Sequence, residues 1–327
     1  MAQLNMVGAL NKALDDAMAA DDRVCVIGQD VGVDGGVFRV TKDLIEKYGE
    51  DRVIDAPLAE CGIVASAIGM AIYGLRPVAE VQFSGFTMQA FDQIEQNMAR
   101  FRNRSRSRFP ISMVLRTPYG GGIRAVEHHS ESREAYWAHT PGLKVVIPSG
   151  PRNANALLHA SINDPDPVVF YEPKAVYRAF REEVPDKPDP IEIGKADVVR
   201  AGADITLIAY GAMMRPTLEA VEDLVEMHGV DPEVIDLLSI WPMDTASIVE
   251  SVCKTGRCVI IHEGPRNCGI AAEIIARLNE NAFEHLVAPV KRVTGYDIHF
   301  PFFQVEEHYL PDAESIIAAV KETLAYE

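Results

Sequence analysis

Short β-branched runs alternate with segments of helical period along almost the whole chain, and this constrains the fold more than any other feature. Residues 23–31, 76–83, 111–118, 143–149 and 164–173 are brief apolar stretches bounded by Gly, Pro, Asp or Ser. Between them, residues 4–18, 38–48, 62–74, 87–101 and 152–162 repeat apolar side chains every three or four positions. A strand followed by a helix and another strand requires crossover connections, so the alternation predicts parallel sheets with helices on both faces, a doubly wound α/β domain. Residues 182–190, EEVPDKPDP, are dense in proline and charge and read as a linker. Beyond it the alternation resumes, with strands at 205–211, 233–239, 257–263 and 290–295. The reading is therefore two parallel-sheet α/β domains, 1–181 and a smaller 191–327.

Charge narrows the function. The chain carries 31 Lys and Arg against 48 Asp and Glu, a net −17. Such a surface repels nucleic acid and anionic membranes and attracts a basic protein partner. No run approaches the ~18 apolar residues of a membrane span, and the first ten residues lack the basic-then-apolar pattern of a targeting segment. Five cysteines, an odd number mostly in apolar surroundings, suit a reducing compartment, so a cytoplasmic location is expected. Cys253, Cys258 and Cys268 have the wrong spacing for a zinc site. The arginine-rich stretch 100–108 would be the grip of a nucleic-acid-binding module, but it offers a single aromatic for stacking. Solvated charge or a subunit contact accounts for it better.

Three features carry chemistry. Glu60 follows Ala56-Pro57-Leu58-Ala59 and precedes a helix that mixes bulky Ile, Val and Met with Gly and Ala. A carboxylate in that apolar setting is costly unless it holds a partner, although an N-terminal helix cap explains the placement equally well. The small residues of 62–74 fit either a close helix–helix contact between subunits or an ordinary buried helix. His128 and His129 sit in a polar stretch after the Gly120-Gly121-Gly122 loop. One of them is a candidate for proton transfer or anion recognition, against a structural role for a loop histidine. Phosphate-binding loops of the P-loop and dinucleotide types are missing.

Taken together, residues 30–40, 47–60, 80–86, 129–132, 141–149 and 171–178, in this order, resemble the beta subunit of the thiamine diphosphate-dependent 2-oxo acid dehydrogenases. The resemblance extends through the second half, in ITLIAYGAMM, VIDLLSIWPMD, KTGRCVIIHEGP and FPFF. It implies a pyrimidine-binding α/β domain followed by a transketolase C-terminal-like domain. It also fits an absence, because no GDG with a downstream Asn, the family's signature for holding diphosphate and Mg²⁺, occurs here. By this resemblance those ligands lie on a separate alpha subunit, and the cofactor lies at the interface of an alpha2beta2 heterotetramer.

The same resemblance assigns roles. Glu60 matches the glutamate that hydrogen-bonds ring nitrogen N1′ of the aminopyrimidine, favouring the tautomer that removes the thiazolium C2 proton. Leu58 and Phe86 fall beside that ring. His129 matches the histidine at the active-site mouth, with His128 an added neighbour. A structural K⁺ is implied at Ile111, Met113 and Val114 with Ser161, Ile162, Asp164 and Asp166; Asp166 replaces the usual Asn. Residues 35–39 and 131–142 are closer to branched-chain enzymes, so the expected activity is that of a 3-methyl-2-oxobutanoate dehydrogenase (2-methylpropanoyl-transferring). Pyruvate is the alternative substrate, and the C-terminal subunit of a split transketolase is the more distant one. The implied partner beyond the alpha subunit is a dihydrolipoamide acyltransferase, through its peripheral-subunit-binding and lipoyl domains.

Overall fold

The strands are β1 (Ala2–Leu4), β2 (Val24–Gln29), β3 (Val53–Ala56), β4 (Arg76–Glu80), β5 (Val114–Tyr119), β6 (Lys144–Val146), β7 (Val168–Pro173), β8 (Glu182–Val184), β9 (Asp197–Arg200), β10 (Ile205–Ala209), β11 (Pro232–Asp236), β12 (Ser239–Trp241), β13 (Cys258–Pro265) and β14 (Lys291–Gly295) in the computed structural model, which describes residues 1–326. A seven-stranded sheet runs β12-β6-β7-β5-β4-β2-β3 and a five-stranded sheet runs β14-β13-β10-β11-β9. Every pairing within the two sheets is parallel except those of the edge strands β12, on β6, and β9, on β11.

Burial on both faces explains why these strands read as continuous apolar runs rather than alternating ones. Successive side chains still point opposite ways. Val26, Val78, Val114 and Val168 join one core, whereas Ile27, Ala79, Leu115 and Val169 join the other. Against the first core lie the helices Met6–Ala20 and Pro151–Asn163, linked where the Asn155 side-chain amide donates to the Ala9 carbonyl at 3.0 Å. Against the second lies the helix Glu60–Ile72, through Ile63, Val64, Ala67 and Ile68.

Three segments depart from the sequence reading, each for a local reason. Helical spacing at 38–48 yields only the helix Leu44–Tyr48. Asn11 captures the carbonyls of Val40 and Lys42, and Arg39 and Asp43 are left-handed, so no helix can begin earlier. The segment 87–101 is a 3₁₀ turn, Ser84–Ala90, followed by a π-helical stretch, Gln93–Met98. Thr87 donates its hydroxyl to the Ser84 carbonyl and receives the indole N–H of Trp137, which ties this turn down. Residues 182–184 of the expected linker form β8, antiparallel to β1. The chain also crosses back, since β12 lies beyond the linker yet extends the first sheet.

Candidate active site

Ligand sites in open α/β sheets lie beyond the carboxyl ends of the strands, and the candidate residues are found there. Leu58 and Glu60 follow β3, Phe86 follows β4, and His128 and His129 follow β5 by way of the glycine loop. The Ser84–Ala90 turn touches both the helix Glu60–Ile72 and the short turn Val126–His129, so it joins the two halves of the site.

Glu60 opens its helix without capping it. Ala59 is the N-cap residue and offers no side chain, while the Glu60 carboxylate lies in the first turn, where the helix dipole favours negative charge. It is half-buried and has no hydrogen-bond or ion-pair partner among the described residues. Leu58, two positions earlier, is 71% exposed. The exposed side of the helix carries Cys61, Gly62, Ser66 and Gly69, with Tyr73 beyond its end. A Cβ on Gly69 would meet nothing within 4 Å, so the small-residue side is open in this chain.

Around the histidines the chain builds an aromatic cage. The ring of Phe83 lies 4.4 Å from His129, edge-on, and that of Phe86 lies 5.3 Å from His129 and 5.1 Å from His128. Burial among these rings holds the His129 pKa below the ordinary imidazole value, and His128 and Lys174 add to the lowering. All three effects favour the neutral imidazole of His129. Its backbone carbonyl accepts the Lys174 ammonium at 2.7 Å. His128 is more exposed and faces Glu131 at 3.4 Å.

Beneath these residues lie buried charges that sequence reasoning missed. Arg116 on β5 donates Nε and Nη2 to both oxygens of Glu172 on β7, at 2.6 and 3.0 Å, and Nη1 to Glu80 on β4 at 2.8 Å. All three are buried. Burial raises the Glu80 pKa, and Arg116 opposes that rise. Lys174 is also buried, which lowers its pKa, while Glu263 and Glu306 work to keep it charged. Burial pushes the Glu263 carboxyl upward, against a hydrogen bond from the Gly121 N–H at 2.8 Å. Glu134, similarly raised by burial, accepts the Tyr210 hydroxyl at 2.9 Å. A signal for Arg116, Glu172 and Glu263 was available: each is a charged residue inside a mostly apolar strand.

The positions implied for K⁺ do come together at the amino ends of β5 and β7, but they are already engaged. Ile111, Met113 and Val114 are buried, and the Ile111 and Met113 carbonyls accept the N–H groups of Met113 and Val168. The Ser161 carbonyl accepts the Asp164 N–H, and the Ile162 carbonyl accepts Arg76. Lys144 lies 2.7 and 2.8 Å from the two oxygens of Asp164 and 3.5 Å from Asp166, which also pairs with Arg102. Lys144 thus holds the two carboxylates of the set, while each carbonyl keeps a second lone pair. Among the described residues, no three His, Cys, Asp or Glu side chains converge as a metal-ligand set.

A cleft of about 1220 Å³ opens at the domain junction between residues 131–141 and 262–269. Neither Glu60, Phe86 nor His129 lines it, whereas Glu131 of the histidine loop does. The candidate residues thus lie on an open surface beside the cleft.

Comparison with known proteins places this geometry. Residues 2–179 match the transketolase pyrimidine-binding domain family, and residues 194–316 match the transketolase C-terminal domain family. A protein of Acholeplasma laidlawii named pyruvate dehydrogenase E1 component subunit beta is 50% identical over 321 residues, 98% of each chain. Proteins of the same name from Staphylococcus epidermidis and Staphylococcus aureus are 48% identical over 326 residues, the full length of both chains. These names give pyruvate, the alternative of the sequence reading, rather than a branched-chain acid. Among solved structures, an inactive beta4 tetramer of a split-gene transketolase superposes with a TM-score of 0.80 over 99% of each chain at 22% identity, a likeness of fold alone.

Proposed function

The chain belongs to the beta-subunit family of the E1 components of thiamine diphosphate-dependent 2-oxo acid dehydrogenases, and on that premise we propose that its substrate is pyruvate and that it forms half of an active site shared with an alpha subunit. The observation that carries pyruvate over branched-chain acids is 50% identity, along 98% of the chain, to a protein named for pyruvate. Thiamine diphosphate, when bound, supplies the carbon nucleophile and the electron sink for decarboxylation. This chain supplies the pyrimidine side. Glu60, partnerless and half-buried, is free to accept a hydrogen bond from the ring nitrogen. Exposed Leu58 and the edge of Phe86 offer apolar surface on which a flat ring can rest.

His129 acts on the substrate side. As a neutral imidazole fixed by Phe83 and by Lys174 on its carbonyl, it can donate a hydrogen bond to the substrate carboxylate or carry a proton during acyl transfer. Mg²⁺ and the diphosphate fall to the alpha subunit in an alpha2beta2 heterotetramer. A net charge of −17 suits docking of a basic peripheral-subunit-binding domain of the acyltransferase, whose lipoyl domain receives the acyl group. The described residues contain no helix long and apolar enough to cross a membrane. The odd number of cysteines, mostly in apolar surroundings, is what supports a cytoplasmic placement.

The test is substrate profiling of the enzyme reconstituted with its alpha chain, by dye reduction. The proposal expects kcat/KM for pyruvate to exceed that for 3-methyl-2-oxobutanoate by at least about tenfold, the scale of discrimination set by a pocket's fit to one or two carbons. The reverse order would restore the branched-chain reading. Activity on a ketose phosphate alone would move the chain to the split transketolases.

A further inference from the structure

The loop between β5 and the histidine turn is held in a conformation it would not adopt unaided. Gly120 and Gly122 are left-handed at φ +80° and +88°, and so are Arg124 and Val126 at +57° and +60°. A β-branched residue in that region persists only where its surroundings over-determine it. Within the loop's own domain, Gly120 donates its N–H to the Glu131 carbonyl at 3.2 Å. Three further hydrogen bonds to its backbone N–H groups come from the far domain, across more than 140 residues of sequence. The Gly121 N–H donates to Glu263 at 2.8 Å, and the Gly122 and Arg124 N–H groups converge on one oxygen of Glu306, the latter at 3.3 Å.

Sterics close the same grip. A Cβ on Gly121 would lie 2.6 Å from the Phe300 ring, and one on Gly120 would collide with the Glu263 carboxylate. Glu263 and Glu306 are 3% and 2% exposed, and each retains an oxygen with no partner. Two buried carboxylates that aim at backbone N–H groups rather than at cations are costly to keep. Lys174, just after β7, donates its ammonium to the His129 carbonyl at 2.7 Å, and the Glu263 and Glu306 carboxyls favour its charged form.

We propose that Glu263 and Glu306 are positioning residues for the His128–His129 turn, acting from the second domain through the backbone of the loop 120–124. The inference rests on the reading that His129 serves the substrate. Domain docking then sets the histidine's place, and the two carboxylates transmit it. Glu306 is the clearer test because its oxygen serves two amides.

The experiment compares Glu306→Gln and Glu306→Ala in the enzyme assembled with its alpha chain. Backbone amide hydrogen exchange is read at 122 and 124 alongside KM, kcat and cofactor affinity. Gln retains an acceptor oxygen and should stay within about twofold of the parent in all readouts. Ala removes the acceptor, so amides 122 and 124 should exchange at least about tenfold faster. KM for the 2-oxo acid should rise by a similar factor, with thiamine diphosphate affinity unchanged because Glu60 is untouched. Unchanged exchange in Glu306→Ala, or a Gln variant as impaired as Ala, overturns the proposal and leaves the functional reading intact. Faster exchange with unchanged kinetics also overturns it, and in that case the assignment of His129 fails with it.

Discussion

Asp236 makes the stability of this chain pH-dependent in a way that one substitution can expose. It ends β11 and is 1% exposed, yet its carboxyl faces no cationic partner among the described residues. Ser149 of the first domain donates its hydroxyl to one oxygen, and the Leu238 N–H reaches the other at 3.4 Å. Burial dominates these hydrogen bonds and pushes its pKa from 3.8 up to about 7. A folded-state value above the unfolded one means the folded chain holds a proton that the unfolded chain releases. Below pH 4 both states are protonated and the group contributes nothing to the pH dependence. Between about pH 4 and 7 stability falls by roughly 1.4 kcal/mol per pH unit, and the full loss of about 4 kcal/mol is in place from about pH 8. Asp236→Asn keeps the shape and an acceptor oxygen while removing the charge. Stability from urea unfolding measured from pH 5 to 8 should therefore fall more steeply for the parent, by about 2 kcal/mol between pH 5 and 7. The variant should be the more stable protein at pH 8. Parallel curves would refute the argument, because they would mean that Asp236 ionises in the folded chain as easily as in the unfolded one.

Two further outcomes concern the site. Glu60→Gln should assemble normally but slow hydrogen–deuterium exchange at the cofactor C2 position by at least about a hundredfold, the scale of assisted proton transfer, read by NMR of quenched samples. His129→Ala should leave thiamine diphosphate affinity within about twofold while lipoamide-dependent turnover falls about a hundredfold. His128→Ala should lose far less, since its ring is the more exposed of the two.

The sheets were legible because strands buried on both faces are continuous apolar runs, and two such domains emerged from periodicity alone. What escaped was set by distant contacts. Helical spacing at 38–48 cannot reveal that Asn11 will take the Val40 and Lys42 carbonyls. Nor does a proline-rich stretch announce that 184 will pair with residue 2. Glu60 and His129 were visible by their setting and resemblance. Lys174 and Glu306 were not, since the partners that give them meaning lie 45 and 184 residues away. At the K⁺ positions the residues were legible by resemblance, but the Lys144 ammonium on Asp164, 20 residues away, was not.

The central claim is that this chain holds only the pyrimidine side of a shared site, leaving Glu60 without a partner among the described residues and its small-residue helix side open. The most direct measurement is calorimetric titration of thiamine diphosphate with and without Mg²⁺, together with dye reduction by a 2-oxo acid, on each chain alone and on the mixture. The account predicts weak, Mg²⁺-insensitive binding and no turnover for this chain by itself. Tight Mg²⁺-dependent binding and decarboxylation should arise together on mixing, because both need the same completed interface. Full activity from this chain alone would contradict the account.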